Sequence, residues 1–226
     1  MFSTVITALN EGFLVTFKLF LVTLVGALPL GLLVSFGSMS KLSIRIGPHR
    51  FRPVSMLFRL IVWLFRGSPL LLQLMIIFYV PGMFGYNIWS FSNGRFWAAV
   101  LAFWLNYACY FSEIYRAGIE AIPKGQDEAG LVLGMTKVQI FFKVKLAQII
   151  RRIVPPMSNE IITLVKDTSL ANTIALAEVI WAGRRFMKSE GLVWPLFFTG
   201  IYYLIFSGVL TILFQWVEKK LSFYKV

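Results

Sequence analysis

Chemistry-bearing residues are scarce in this chain. It holds one cysteine, Cys109, one histidine, His49, and 10 acidic residues in 226, and charged side chains of both signs make up only 14%. A single cysteine excludes an intramolecular disulfide and a cysteine metal cluster, and Cys109, inside an apolar run, reads as core packing. His49 lies in a basic loop beside Pro48 and Arg50; one imidazole without carboxylate neighbours is a poor basis for metal binding or acid–base catalysis, and it reads as a solvated loop residue. There is no Ser/His/Asp set, no phosphate-cradling glycine loop and no paired-carboxylate site, so the pattern is that of a non-enzyme. Internal repeats and low-complexity linkers are missing too. The start, MFSTVITALNEG, lacks the basic residues and small-residue cleavage site of a secretory signal, so the first apolar run is expected to stay in the mature protein.

What the chain has in abundance is apolar surface. Hydrophobic residues make up 58%, aromatics 16%, and the mean hydropathy is +0.75. Ordinary soluble domains carry about 25% charged residues, and a chain of this size cannot hide so much apolar surface in one core. Lipid is therefore the solvent. A net charge of +12 in a soluble protein would suggest nucleic acid. In a membrane protein, basic residues mark the cytoplasmic ends of spans, and no nucleic-acid partner is expected.

A bilayer core of about 30 Å needs about 20 apolar residues in helix. Five spans are predicted, near 14–37, 57–80, 95–115, 153–173 and 192–217, as one transmembrane domain over 1–226. The second must begin near 57, because only a short stretch separates Arg66 from Pro81-Gly82; this carries Arg66 into the membrane, where a charge faces protein or a cavity. The fourth is the least obvious, since it contains Pro155-Pro156, Glu160 and Lys166-Asp167. The loop after the first span carries Lys41, Arg45, Arg50 and Arg52 and no acid, the segment 116–152 carries seven bases, and the tail carries Lys219, Lys220 and Lys225. All three lie on one side, against Arg184, Arg185 and Lys188 on the other, which predicts an outside N-terminus and a cytoplasmic C-terminus. Tyr79, Trp89 and Trp181 fall near span ends, as aromatic belts do.

The segment PKGQDEAGLVLGMTKVQIFFKVKLAQIIRR is the most informative. Pro123 suits a helix start, Asp127 and Glu128 complement the helix dipole, and Gly134 terminates the turn. A second helix comes next, with Ile140, Phe141, Val144 and Ile149 on its packed side. By composition this is either an amphipathic hairpin on anionic lipid or a knob that docks into a soluble partner. Four acids interrupt seven bases between 113 and 152, which suits the docking knob better.

The run EAGLVLG followed by VKL resembles the cytoplasmic signature of ATP-binding-cassette (ABC) importer permeases: Glu-Ala-Ala, three residues, Gly, nine residues, Ile, any residue, Leu-Pro. Glu128, Ala129, Gly134, Val144 and Leu146 match or nearly match, whereas Gly130 replaces the second alanine and Ala147 the proline. RGSPLLLQL at 66–74, YFSEIYRAGIEAIPKGQ at 110–126 and LVKDTSLANTIALAEV at 164–179 extend the resemblance to the polar amino-acid uptake branch, over about residues 10–218. It implies an all-α membrane protein of the type I ABC importer permease kind, with about five transmembrane helices and a cytoplasmic coupling-helix loop at 116–152. Two permease subunits, identical or homologous, would face each other in the cell membrane. A cytoplasmic ABC ATPase dimer would bind ATP and Mg, and an extracytoplasmic amino-acid-binding protein would deliver the substrate; this chain itself would hold no cofactor or metal. The coupling helix would comprise Gln126, Asp127, Glu128, Ala129 and Gly134.

A substrate with charged amino and carboxyl groups needs polar partners near the midplane. The candidates are Asp167 for an ammonium, Gln73 on the helix after Ser68-Pro69, and the hydroxyls of Thr168 and Ser169, with Ser68 beside the path. Asp167 has a structural alternative, pairing with Lys166 or Arg66; Glu160 and Glu178 read as intersubunit or interfacial, and Arg184-Arg185 as a contact of the binding protein or as solvated. The alternative function, a secondary amino-acid transporter, predicts inverted repeats and ion-coupling acids within the spans. The chain shows five spans, no repeat and a signature in a loop instead.

Overall fold

The computed structural model describes residues 1–46 and 49–221. Pro48 and Lys225, both counted in the basic loops, lie outside the described residues, as do the side chains of His49 and Arg50. In chain order come α1 (Phe2–Ser38), a hairpin of β1 (Ile44–Ile46) and β2 (His49–Phe51), α2 (Pro53–Gly67), α3 (Leu70–Met83), α4 (Gly94–Glu120), α5 (Gly125–Val132), α6 (Lys137–Ile140), a π turn (Phe141–Lys145), α7 (Leu146–Asp167), a 3-10 turn (Thr168–Ile174), α8 (Val179–Glu190) and α9 (Trp194–Leu221).

The bundle is built on α1 and α4. Along α1, Leu9, Gly12, Thr16, Leu19, Thr23, Ala27, Gly31, Ser35 and Ser38 recur every three or four residues and are all buried, one helical face in the sense of its 3.6-residue period. Most are small, and small residues let helix backbones approach in lipid, where packing rather than hydrophobicity drives association. A Cβ on Gly31 would lie 2.8 Å from the Phe111 Cβ and 3.0 Å from the Ala108 carbonyl. On the neighbouring face, the Trp104 ring fills the space beside Gly26, and its Nε1 donates to the Val22 carbonyl at 2.8 Å. The other seam of α4 works alike: Gly118 admits the Ile153 side chain of α7.

Length and composition mark α1 and α9 as able to cross a bilayer, with α2 and α3 together as a third, broken span. Helices α4 (27 residues) and α7 (22 residues) are long enough to cross at 1.5 Å per residue. Their polar residues mask them in a hydropathy test. Exposed apolar side chains such as Phe197, Leu204 and Ile212 cover α9, the condition of a lipid-facing helix.

Several elements depart from the sequence reading. The expected span 57–80 is two helices meeting at 100°: the residue before a proline is driven out of the α region, and Ser68, at φ −116° and ψ 147°, is extended ahead of Pro69. The first span lies inside a helix that starts at Phe2, and the third continues to Glu120. The segment 116–152 is not a separate loop. Its second helix runs through the π turn into α7 without a break, so the helix expected over 153–173 begins well before residue 153 and ends at Asp167, with 168–174 in 3-10 form. The unanticipated α8 is too short and too charged to span. It closes the end of the bundle where Val5 and Leu9 of α1 pack against Val179, Ala182 and Phe186.

Overpacking the α1–α4 seam should cost about 1–3 kcal/mol. Gly31→Val is expected to lower the thermal midpoint of the detergent-purified protein by several degrees, whereas Gly200→Ala, with nothing within 4 Å of the added carbon, should leave it unchanged or raise it.

Candidate functional site

A bend in lipid leaves carbonyls that water cannot reach, and each must be met by protein. Here one buried amide meets them. Gln73 Nε2 lies 2.8 Å from the Phe65 carbonyl, 3.0 Å from the Ser68 carbonyl and 2.9 Å from the Ser68 Oγ. Its Oε1 accepts from Asn106 Nδ2 of α4 at 3.0 Å, and Asn106 also donates to Phe65 at 3.2 Å. Ser68 Oγ in turn donates to the Leu64 carbonyl. Gln73 and Ser68, expected in a substrate path, are thus engaged in holding the break against α4.

Beside the break, α2, α4 and α7 line an open cleft of about 520 Å³. Arg66 reaches it from α2, Tyr110 and Glu113 from α4, and Arg152 and Glu160 from α7. Arg66 lies 3.6 Å from Glu113 and 5.1 Å from the centre of the Tyr110 ring; Glu113 also pairs with Arg116 at 2.6 Å, and Arg116 with Glu120 at 2.7 Å. Glu160 is half-buried and, among the described residues, has no hydrogen bond or ion pair. Seven residues on, two helical turns along the same face, Asp167 accepts a 2.7 Å hydrogen bond from Tyr107 of α4.

The geometry thus re-sorts the expected substrate residues. The partner of Asp167 is the Tyr107 hydroxyl, not Arg66, whose carboxylate is Glu113. Thr168 is fully buried with its hydroxyl on the Val165 carbonyl at 2.6 Å, while Ser169 is half-buried and its carbonyl accepts from Asn172. Glu160, which the sequence left at an interface, faces the cavity. Its signal was its place on the same helical stripe as Asp167. Glu178 is likewise no interfacial acid: fully buried, it caps α8 by accepting from the backbone of Ile180 at 2.9 Å and Trp181 at 2.7 Å, with the Tyr203 hydroxyl at 3.2 Å.

At the end of the bundle where α4 stops, α5 and α6 form a knob. Gly134, at φ +73°, ends α5 with the Met135 amide on the Gly130 carbonyl and the Gly134 amide on Leu131, the paired bonds of a Schellman cap. Thr136 and Gln139 then start α6 with a reciprocal capping box. Gly130, a departure from the permease signature, is buried, and a Cβ there would stand 2.5 Å from Ile140; glycine lets α5 lie flat on α6. Asp127 binds Lys145 at 2.9 Å and Gln126 binds Gln148 at 3.2 Å, so these two residues fix α5 to the helix that becomes α7. Glu128 and Ala129 are left exposed, together with an apolar tip that the sequence pattern did not single out: Leu131, Val132 and Leu133 are 53%, 88% and 78% exposed.

A helical membrane domain with one broken span, a polar stripe between its inner helices and a rigid knob at one end is the architecture of a transport subunit. Residues 39–223 match the family described as binding-protein-dependent transport system inner membrane component, and the chain belongs to it. It is 36% identical over 217 residues to the arginine transport system permease protein ArtQ of Bacillus subtilis (strain 168), covering 94% of this chain and 91% of that protein. It is 40% identical over 171 residues to the L-cystine transport system permease protein TcyB of the same organism, covering 76% and 67%. Among solved structures, an amino acid ABC transporter with histidines superposes at a TM-score of 0.83, with 25% identity and 97% and 96% of the two chains covered. The fold is that of a type I ABC importer permease.

Removing the clamp tests the break. Gln73→Leu strips donors from the Phe65 and Ser68 carbonyls, and leaving buried groups unmet costs about 1–3 kcal/mol each; the expected result is a lowered thermal midpoint and reduced transport, with Gln73→Asn no better because its amide is one methylene short.

Proposed function

We propose that this chain is a permease subunit of an ATP-driven importer for polar amino acids, with its N-terminus outside and its C-terminus in the cytoplasm. The single observation that carries the reading is the knob. Two short helices, capped at both ends of their turn and pinned by Asp127–Lys145, present Glu128, Ala129 and a bare Leu-Val-Leu tip. An exposed apolar tip beside a free carboxylate suits a cleft in a soluble partner. On this reading that partner is an ABC ATPase dimer, which handles ATP and Mg, while Gln126, Asp127 and Gly134 shape the coupling helix that Glu128 and Ala129 present. A second permease subunit completes the path and an extracytoplasmic amino-acid-binding protein supplies it; the basic cleft of Arg184, Arg185 and Lys188 beside the 3-10 turn lies at the end away from the knob.

The substrate path runs along the stripe on α7. Glu160 supplies a carboxylate for a cationic group and Arg66 a guanidinium for a carboxylate, across a cavity wide enough for an amino acid. Asp167 stands further along, braced by Tyr107, with Thr168 and Ser169 continuing the wall. Ser68 and Gln73 act by holding the bend that opens the cavity.

Two experiments test the two halves. Glu128→Lys and Val132→Asp should each abolish co-purification of the ATPase and amino-acid uptake while leaving the thermal midpoint of the permease intact; unchanged assembly in both would remove the coupling assignment. Glu160→Gln should lower uptake of cationic amino acids about tenfold to a hundredfold, the worth of a charged hydrogen bond of about 1.5–3 kcal/mol, with assembly and ATPase binding retained.

A further inference from the structure

Between α1 and α2 lies a small ribbon whose two faces differ in kind. The antiparallel register pairs Ile44 with Phe51 and Arg45 with Arg50. Cross-strand neighbours share a face and successive residues alternate, so Ile44 and Phe51 lie together on one side of the ribbon and Arg45 on the other. Leu42, Ile44 and Phe51 are 70%, 57% and 41% exposed, and no part of the described chain covers them. Lys41 and Arg52 flank the ribbon. From Gly12 to Ser112 the sequence has no acid at all, and among the described residues none of Lys41, Arg45 and Arg52 has a carboxylate partner. This arrangement calls for an anion from outside the chain.

The setting of the ribbon says which anion. The helices on either side of it are tied together at its base, where the Ser38 carbonyl of α1 accepts from Ser55 Oγ of α2 at 2.6 Å and from Arg59 Nε at 3.4 Å. On one side of it, Leu33 and Phe36 of α1 are exposed; on the other, Met56, Leu57 and Leu60 in the first turns of α2 are exposed as well. Both helices are therefore lipid-facing within a turn or two of the ribbon, which holds it in the headgroup layer. We propose that this ribbon is an anionic-phospholipid site. Leu42, Ile44 and Phe51 enter the boundary of the acyl region, and Lys41, Arg45 and Arg52 hold lipid phosphates. The charge here is of one sign, unlike the mixed charge of the knob, and this favours a lipid surface over a docked protein.

The test compares the permease, purified and inserted into phosphatidylcholine nanodiscs, for its relative affinity for spin-labelled phosphatidylglycerol over spin-labelled phosphatidylcholine. Juxtamembrane cations each contribute about fivefold in affinity for an anionic surface. The triple variant K41Q/R45Q/R52Q should lose tenfold or more of the selectivity, K41R/R45K/R52K should keep it, and a variant that removes the same charge from the knob, K124Q/K137Q/K143Q, should keep it too. Equal loss in both neutralised variants would reduce the effect to net charge, and selectivity unchanged in the first would remove the site. Loss of ATPase co-purification with lipid selectivity retained would make the ribbon a protein contact and overturn the proposal.

Discussion

The amide of Gln73 is the contact on which the rest of this molecule depends. Hydrocarbon offers no hydrogen bonds, so a helix that stops inside it must have its open carbonyls met by side chains. Ser68-Pro69 stops one, and Gln73 together with Asn106 meets the carbonyls of Phe65 and Ser68. Because Asn106 belongs to α4, the bend is fastened to the central helix rather than free to straighten. Beyond the 100° turn α3 runs off at a different angle, and Arg66, at the end of α2, stands at the rim of the cleft.

The second constraint is continuity along α7. The helix that begins as α6 in the knob carries Lys145, which pins α5, and then Glu160 and Asp167, which face the cavity and Tyr107. One continuous rod thus joins the knob to the polar stripe. Two irregularities interrupt that rod: the π turn at Phe141–Lys145, which resets the angular register of the helix beyond it, and Pro155-Pro156 inside α7, whose missing amide hydrogens weaken the ladder there. Glycines at 31 and 118 keep α1 and α7 close against α4, so the rod lies against a closely packed wall.

The sequence was legible where the physics is local. Hydropathy placed the apolar runs, Gly134 marked the end of α5, Pro123 and the Asp127-Glu128 pair marked its start, and the spacing of Glu128, Ala129 and Gly134 marked the knob. The cavity was less legible, because its residues come from three helices. Arg66 was placed correctly against protein by the cost of its charge, but its partner, Glu113, is decided only by how α2 meets α4. Glu178 shows the same limit: an acid at a helix start is a capping signal, yet its complete burial requires Tyr203 from α9.

Composition and hydropathy by themselves determined the solvent and the positions of the apolar runs, since each is a sum over many residues and insensitive to which helix touches which. Tertiary structure alone decided that Gln73 braces a break, that Gly130 gives α5 room against Ile140, and that Glu160 lines the cleft beside Arg66. The reason is reach. A side chain's role in lipid is set by the groups nearest to it, and here those are brought near by a bend or by another helix: Phe65 and Ser68 reach Gln73 across the break, and Asn106 reaches it from α4.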